Sequence, residues 1–181
     1  MKKISFRATV IGTAVVTGLL TGILAILYCR FPAGWLLSLA ITSGTTCFHF
    51  SMRLVVGALI PARQDYRKPW FRERPFEREL YRKLRLRRWK GSMPTYDPKL
   101  FSLEHYSPEQ IIAHMCQAEL VHEVIILCSF LPLLFTFLWG DFPVFLLTSL
   151  AAACIDLLFV MLQRYNRPRL VRLLEKQFKH T

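Results

Sequence analysis

The stretch ATVIGTAVVTGLLTGILAILYC, residues 8–29, is largely apolar and carries no charged side chain. A helix rises about 1.5 Å per residue, so a run of this length can cross the roughly 30 Å hydrocarbon core of a bilayer. Three further apolar segments of comparable or greater length cover residues 33–60, 111–139 and 142–162. The sequence therefore predicts an all-α integral membrane bundle of four transmembrane helices, with residues 1–181 forming one membrane domain.

The composition supports a membrane protein over a soluble one. Hydrophobic residues make up 53% of the chain and charged residues 20%, an unusual balance for a soluble domain. The formal charge of +12 would suit either nucleic acid or an anionic membrane surface, and the separation into apolar blocks favours the membrane. The start of the chain resembles a secretory signal, but its apolar run is longer than a signal core and has no clear A-x-A site, so we interpret it as a retained span.

The distribution of basic residues predicts the orientation. Lys and Arg number 3 before the first span, 13 in residues 61–108 and 6 after the last span. The turn at residues 30–32 holds only Arg30, and the turn Gly140-Asp141 holds no basic residue. Because basic loops stay on the cytoplasmic side, both termini and residues 61–108 are predicted to be cytoplasmic.

The central segment contains a basic amphipathic stretch. Pro75 suits a first helical turn, and Phe76, Leu80 and Leu84 recur four residues apart among many arginines. This pattern predicts a helix on the membrane surface that ends near Gly91. The alternative is a solvated charged helix packed against its neighbours.

Ionisable residues inside the predicted spans are candidates for function, because an unpaired charge in hydrocarbon is costly. They are His49, Arg53, His114, Glu119, His122, Glu123 and Asp156. Counted at about 1.5 Å per residue from the cytoplasmic ends, four of them fall at similar depths in the second and third spans: His49, Arg53, Glu119 and His122.

These four residues offer an imidazole base, a carboxylate and a cation. We predict that His122 is the general base in preference to His49, because Glu119 lies one turn away and could orient it. His49 and Arg53 would then bind substrate or stabilise developing negative charge. The alternative is structural: an Arg53–Glu119 ion pair with hydrogen-bonded core histidines. Glu-x-x-His is also half of a metal–carboxylate motif, but no second copy is present, so no metal is predicted.

A cationic motif follows the fourth span. It reads Gln163-Arg164-Tyr165-Asn166-Arg167-Pro168-Arg169. Asn166 and Pro168 predict a helix stop, and the arginines could clamp phosphate with Gln163 and Asn166 assisting. The alternative is an ordinary basic stop signal at the membrane edge. Trp89 and Lys90 are a further candidate for substrate binding, or else an interfacial anchor.

Five groups of residues together resemble the glycosyl-4,4'-diaponeurosporenoate acyltransferase family between about Thr46 and Arg172. They are Phe48-His49-Phe50 with Arg53 and Gly57; Phe76 with Glu79 and Tyr81; Trp89-Lys90 with Pro94; Ala118-Glu119 with His122; and Gln163 to Arg169. The resemblance implies a bacterial cell-membrane enzyme that esterifies a sugar hydroxyl of a glycosylated carotenoid with a fatty acyl chain. The resemblance does not fix the acceptor, so other glycolipids stay open as acceptors.

The expected function is acyl transfer from an acyl thioester, such as acyl-CoA, to a hydroxyl of a glycosylated lipid or carotenoid. The expected partners are membrane lipids, the acceptor and the acyl donor, with no nucleic acid and no cofactor. The alternatives are another membrane-embedded lipid-modifying enzyme and a non-enzymatic membrane subunit. The donor chain, the acceptor and the oligomeric state are left open.

Overall fold

The computed structural model describes residues 6–62, 64–94 and 98–179. The predicted position of the two termini concerns residues 1–5 and 180–181, which lie outside the described residues. Within the described ranges every regular element is a helix. The chain divides into two compact units, the first built from residues 1–58 and 124–156 and the second from residues 59–123 and 157–181.

The first unit begins with two long helices, α1 (Phe6–Arg30) and α2 (Gly34–Leu59). They match the first two predicted segments within a few residues. Small residues bring them together: a Cβ on Gly18 would lie 3.2 Å from Cys47 Sγ, and one on Gly44 would lie 3.3 Å from Thr21 Cγ2. Close approach through small residues is the usual way that helices pack in lipid.

The third predicted segment is not one continuous helix. Helix α5 (Pro108–Cys128) ends ahead of a 3-10 turn at Leu131–Phe135, and a short helix α6 (Thr136–Trp139) follows. Pro132 falls in the first turn of the 3-10 segment, where its missing N–H needs no partner. The segment predicted at residues 111–139 is therefore helical but not a regular α-helix at residues 129–135.

A tight turn leads from α6 into α7 (Phe142–Lys179). Gly140 has φ 69° and ψ −141°, a conformation open almost only to glycine, and Asp141 has φ 53°. The Asp141 carboxylate accepts a 2.6 Å hydrogen bond from Ser38 Oγ on α2, which ties this turn to the first helix pair.

Helix α7 continues well beyond the predicted fourth span. Pro168 lies inside it, so neither Asn166 nor Pro168 ends the helix and there is no separate cationic corner. Proline removes one backbone hydrogen bond and normally disfavours a helix interior. The buried ion pairs of Arg164 and Arg167, described below, hold this part of α7 against that preference.

The second unit also contains α3 (Pro75–Lys83) and α4 (Leu86–Trp89), preceded by a 3-10 turn at Pro69–Phe71. The single amphipathic helix predicted from Pro75 is thus broken in two. The break falls at Arg85, which adopts the left-handed conformation with φ 50°.

The exposure of the α3 side chains bears on the two alternatives given for this helix. Its apolar stripe is exposed, with Phe76 at 58% and Leu84 at 43% exposure, while Glu77 and Tyr81 are buried on an adjacent face. The stripe is not covered by any described part of the chain, which disfavours the packed alternative and suits contact with lipid. The core of this unit joins Phe71, Ile112, Cys116 and Leu174.

Three helical segments of the described chain are long and apolar enough to cross a membrane. They are Arg7–Arg30, Pro108–Trp139 and Phe142–Lys176, which contain 18-residue windows with mean hydropathies of 2.3, 2.1 and 2.3. Helix α2 is not one of them, because serine, threonine, His49 and Arg53 dilute its apolar residues. Exposed apolar side chains along α1, such as Val16, Leu19 and Ile26, present a surface suited to lipid.

Candidate active site

The first unit contains one cluster of ionisable groups, which we call the His49 cluster: His49, Arg53 and Asp156. Arg53 forms an ion pair with Asp156 of α7, whose side chain is fully buried. Its Nη1 also donates a 3.0 Å hydrogen bond to the His49 carbonyl one turn back along α2. Arg53, in the second predicted span, is therefore paired with a residue of the fourth predicted span.

His49 itself is 4% exposed, and neither imidazole nitrogen has a hydrogen-bond partner among the described residues. The edge of the Phe48 ring lies nearby, with ring centroids 5.5 Å apart. A buried imidazole without partners is unfavourable by on the order of 1–3 kcal/mol, so its nitrogens are available to a bound polar group.

The second unit is organised around a buried set of charges, which we call the Glu119 network: Glu77, Glu119, Arg164 and Arg167. Glu119, on α5, is fully buried and accepts a 2.5 Å hydrogen bond from Arg164 Nη1 and another from Arg167 Nη1. Arg164 also pairs with Glu77 of α3, at 2.6 Å. Two carboxylates thus balance two guanidinium groups inside this unit.

Backbone carbonyls of the central segment accept further hydrogen bonds from both guanidinium groups. Arg164 donates to the Trp70 carbonyl at 3.2 Å and to the Arg72 carbonyl at 3.0 Å. Arg167 donates to the Phe71 carbonyl at 2.5 Å and lies over the Phe71 ring. The network therefore joins α3, α5, α7 and the 69–72 turn, as buried charges require paired and hydrogen-bonded partners.

His122 lies one turn after Glu119 on α5 and is half-buried. Its ring stacks on Phe159 of α7, with centroids 4.8 Å apart and an interplanar angle of 10°. Stacking of this kind holds the imidazole by its face. The next residue, Glu123, accepts a 2.9 Å hydrogen bond from Trp70 Nε1.

Lys90 and Asn166 are brought together by the fold. Lys90 Nζ donates a 3.0 Å hydrogen bond to Asn166 Oδ1 and lies 5.2 Å from the centre of the Tyr165 ring. Trp89 Nε1 donates to the Leu84 carbonyl at 3.0 Å, which closes the α3–α4 bend. Gln163 lies half-buried on α7.

Two groups near the network have shifted pKa values. Burial raises the pKa of the Tyr81 hydroxyl, and the neighbouring Glu77 carboxylate adds to the shift, so the phenol stays neutral. The hydrogen bonds from Arg78 lower the pKa of Glu73 at the surface of α3. Glu73 therefore stays ionised and paired at neutral pH.

The predicted pairings change in three respects. Arg53 pairs with Asp156, and Glu119 pairs with Arg164 and Arg167, so each has a partner other than the one that the structural alternative assigned to it. The carboxylate of Glu119 is engaged by two arginines, and we therefore interpret it as a structural anchor rather than the group that orients His122. Arg164 and Arg167 likewise bind carboxylates and carbonyls of the protein rather than forming an open clamp. The convergence of His49 and Arg53 with Glu119 and His122, which belong to different units, stays a prediction.

Two residues of these clusters were missing from the predicted site. Asp156 was recognised as an intramembrane charge but was given no partner. Glu77 was missed because it falls among exposed charges in the sequence. The available signal was its spacing of four residues from Tyr81, which places both on one face of α3 beside the apolar stripe.

A comparison with known protein families indicates the type of reaction. A family profile described as glycosyl-4,4'-diaponeurosporenoate acyltransferase matches residues 67–176, more than half of the chain. The chain belongs to this family. It is therefore an acyltransferase of a bacterial carotenoid pathway, and the resemblance noted from the sequence is confirmed. No curated protein and no solved structure matches the chain.

The matched residues bear differently on the two clusters. The acyltransferase match includes the whole Glu119 network, His122 and the Gln163–Arg169 motif. It begins after His49 and Arg53, so those two residues rest on the sequence resemblance alone. The stretch that identifies the acyltransferase family is thus centred on the second unit.

Proposed function

We propose that the protein transfers a fatty acyl group from an acyl thioester to a hydroxyl of a glycosylated lipid or carotenoid, with His122 as the general base. The observation that carries this assignment is the position of His122: a half-buried imidazole one turn from the Glu119 network, inside the residues matched to an acyltransferase family. A base must touch the substrate, and a half-buried side chain meets that need better than one that is 4% exposed.

The reaction needs one proton carrier and one thioester. The acceptor hydroxyl gives its proton to the imidazole of His122 as its oxygen attacks the thioester carbonyl carbon. The tetrahedral intermediate then collapses, the C–S bond breaks, and the imidazolium returns the proton to the departing thiolate. The products are an ester and a free thiol, so neither an oxidant nor a cofactor is required. General base catalysis of this kind contributes on the order of 10²–10⁴ in rate.

The Glu119 network would act as a positioning device in this scheme. The two carboxylate oxygens of Glu119 on α5 bind Arg164 and Arg167 on α7, and Arg167 binds the Phe71 carbonyl in the 69–72 turn. These contacts fix α5 against α7 and the turn. Since His122 stacks on α7, the same contacts hold its imidazole at a constant place. Catalytic groups held on rigid helices keep the sub-ångström placement that transfer requires.

We further propose that the chain crosses the cell membrane four times with both termini and residues 61–108 in the cytoplasm. Helix α2 would be the span that raises the number from three to four, because its 26 residues extend about 39 Å, enough to cross the bilayer. Two of its polar side chains find partners within the first unit: Thr45 bonds to a carbonyl of its own helix and Arg53 bonds to Asp156. Polar residues in spans are expected to face the bundle interior in this way.

The function is tested on lipid extracts. Bacteria making the glycosylated carotenoid, with and without this gene, are compared by mass spectrometry for a species heavier by one fatty acyl chain. The proposal predicts that the acylated species appears only with the gene. Identical extracts in a strain that demonstrably makes the folded protein and supplies the acceptor would contradict it.

A further inference from the structure

The surface of the second unit carries a groove of about 880 Å³ between the α3–α4 bend and α7. Seven arginines line it against a single acidic residue, Glu73. Glu73 is itself engaged by Arg78 through two hydrogen bonds of 2.9 Å. The groove therefore has a strongly positive lining with a volume typical of small-molecule sites.

Several of these arginines have no ion-pair partner in the described structure. Arg85, Arg87, Arg88 and Arg172 are exposed, and none lies within ion-pair distance of a described carboxylate. The two groove arginines on α3 are paired, Arg78 with Glu73 and Arg82 with Glu79. Unpaired guanidinium groups facing one concave surface repel each other unless an anion is present.

Two features hold the groove in shape. Arg169 lies over the Tyr165 ring at 3.6 Å from its centre, which fixes a guanidinium before any ligand arrives. Arg85 takes the left-handed conformation, a strained state for a residue with a side chain, and the next residue, Leu86, is completely buried. Strain retained in this way is often associated with a binding site, and a pre-positioned guanidinium loses less entropy on binding phosphate.

We propose that this groove binds the phosphate groups of a nucleotide-bearing acyl thioester, the donor class of which acyl-CoA is the example. This inference rests on the proposed function and names the donor of the same reaction. A donor of this kind bears several phosphate charges on one compact molecule, which suits a concave cluster of unpaired arginines. Guanidinium groups bind phosphate in a bidentate geometry. A flat anionic membrane surface would not require a concave site.

Direct binding tests the groove without relying on turnover. Purified protein in nanodiscs of neutral phosphatidylcholine is titrated with coenzyme A, with dephospho-coenzyme A and with pantetheine. We expect coenzyme A to bind most tightly, dephospho-coenzyme A more weakly and pantetheine, which has no phosphate, at least 10-fold more weakly. Coenzyme A affinity should also fall as salt is raised. Equal binding of pantetheine and coenzyme A would overturn the proposal.

Variants locate the site. The double change Arg87→Gln with Arg88→Gln should weaken coenzyme A binding at least 10-fold. Arg74→Gln, an exposed arginine outside the groove, should change it less than 2-fold. Arg85→Gly removes a charge at a left-handed position that glycine tolerates, so it should weaken binding while the protein stays folded. Unchanged coenzyme A affinity in the double variant and in Arg85→Gly would exclude the groove.

Two further measurements distinguish donor binding in the groove from lipid-headgroup binding and from the proposed acyl transfer itself. If the double variant loses affinity for phosphatidylglycerol vesicles but keeps its affinity for coenzyme A, the groove binds lipid headgroups and the proposal is wrong. Acyl transfer is also measured with an acyl-pantetheine donor, which carries no phosphate. Transfer from that donor together with groove variants that bind coenzyme A normally would contradict the groove but leave the proposed acyl transfer intact.

Discussion

Glu119 is the residue on which the second unit depends most directly. Its carboxylate is fully buried and is bound by Arg164 and Arg167, which are themselves buried and hydrogen-bonded to the 70–72 backbone. Removing one member of such a set leaves charge inside the protein without compensation. A loss of activity on mutation of Glu119 therefore has a structural explanation that must be separated from a chemical one.

The first prediction concerns this separation. Glu119→Gln keeps the shape of the side chain but leaves two buried guanidinium groups without their carboxylate, so the free energy of unfolding should fall by about 3–5 kcal/mol. Denaturant titration in mixed detergent micelles measures it. The matched control is Glu79→Gln, which breaks an exposed pair with Arg82 and should change stability by less than about 1 kcal/mol. Equal effects of the two changes would show that Glu119 is not a structural anchor.

Sequence could identify these residues but could not pair them. Glu119, Arg164 and Arg167 stand out because charges in apolar helices need partners. Depth alone placed Arg53 opposite Glu119, whereas the partner depends on which helix faces pack together. Glu77 was hidden among the surface charges of α3, because the pattern that stood out there was the stripe of Phe76, Leu80 and Leu84.

Among the elements, the turn between α6 and α7 has the most demanding backbone. Gly140 combines positive φ with ψ −141°, and Asp141 follows in the left-handed region. The sequence correctly predicted a short connection at these two residues. It did not predict the 3-10 segment before the turn or the long continuation of α7, because Pro132 and Pro168 act locally while the packing that holds them is distant in sequence.

The second prediction tests this turn. Gly140→Ala places a Cβ in a conformation that costs on the order of 1–3 kcal/mol, although no neighbouring atom blocks the space. The melting temperature should therefore fall. Gly22→Ala, at an equally open site within helix α1, should not lower it, since alanine favours a helix. Thermal unfolding of the two variants in the same detergent gives the comparison, and a stable Gly140→Ala protein would refute the strained turn.

For the whole molecule, the central feature is the combination of apolar helices with a basic segment between them. Three helical segments of the described chain qualify as spans, and α2 is more polar because it carries the His49 cluster. Hydropathy predicted the helices well and also predicted where they begin. The orientation depends on where the 13 basic residues of the central segment lie, which the positive-inside rule assigns to the cytoplasm.

The third prediction is the labelling pattern of two probe cysteines in a chain whose five native cysteines are replaced by serine. Ser92→Cys, exposed in the central segment, should react with a membrane-impermeant thiol reagent only after the cells are opened. Pro32→Cys, exposed in the turn between α1 and α2, should react in intact cells. The reverse pattern would invert the topology, and labelling of both from one side would contradict four spans.

The central claim, that His122 is the general base of acyl transfer, is tested most directly by the turnover of His122→Ala in purified, folded protein. Turnover per folded molecule should fall at least about 10²-fold, because the acceptor hydroxyl loses its proton acceptor. The matched control is His114→Ala, a half-buried histidine two turns earlier on α5 whose ring meets Tyr106, and it should keep near-parental turnover. Near-parental turnover in folded His122→Ala would contradict the account and would transfer the assignment to His49.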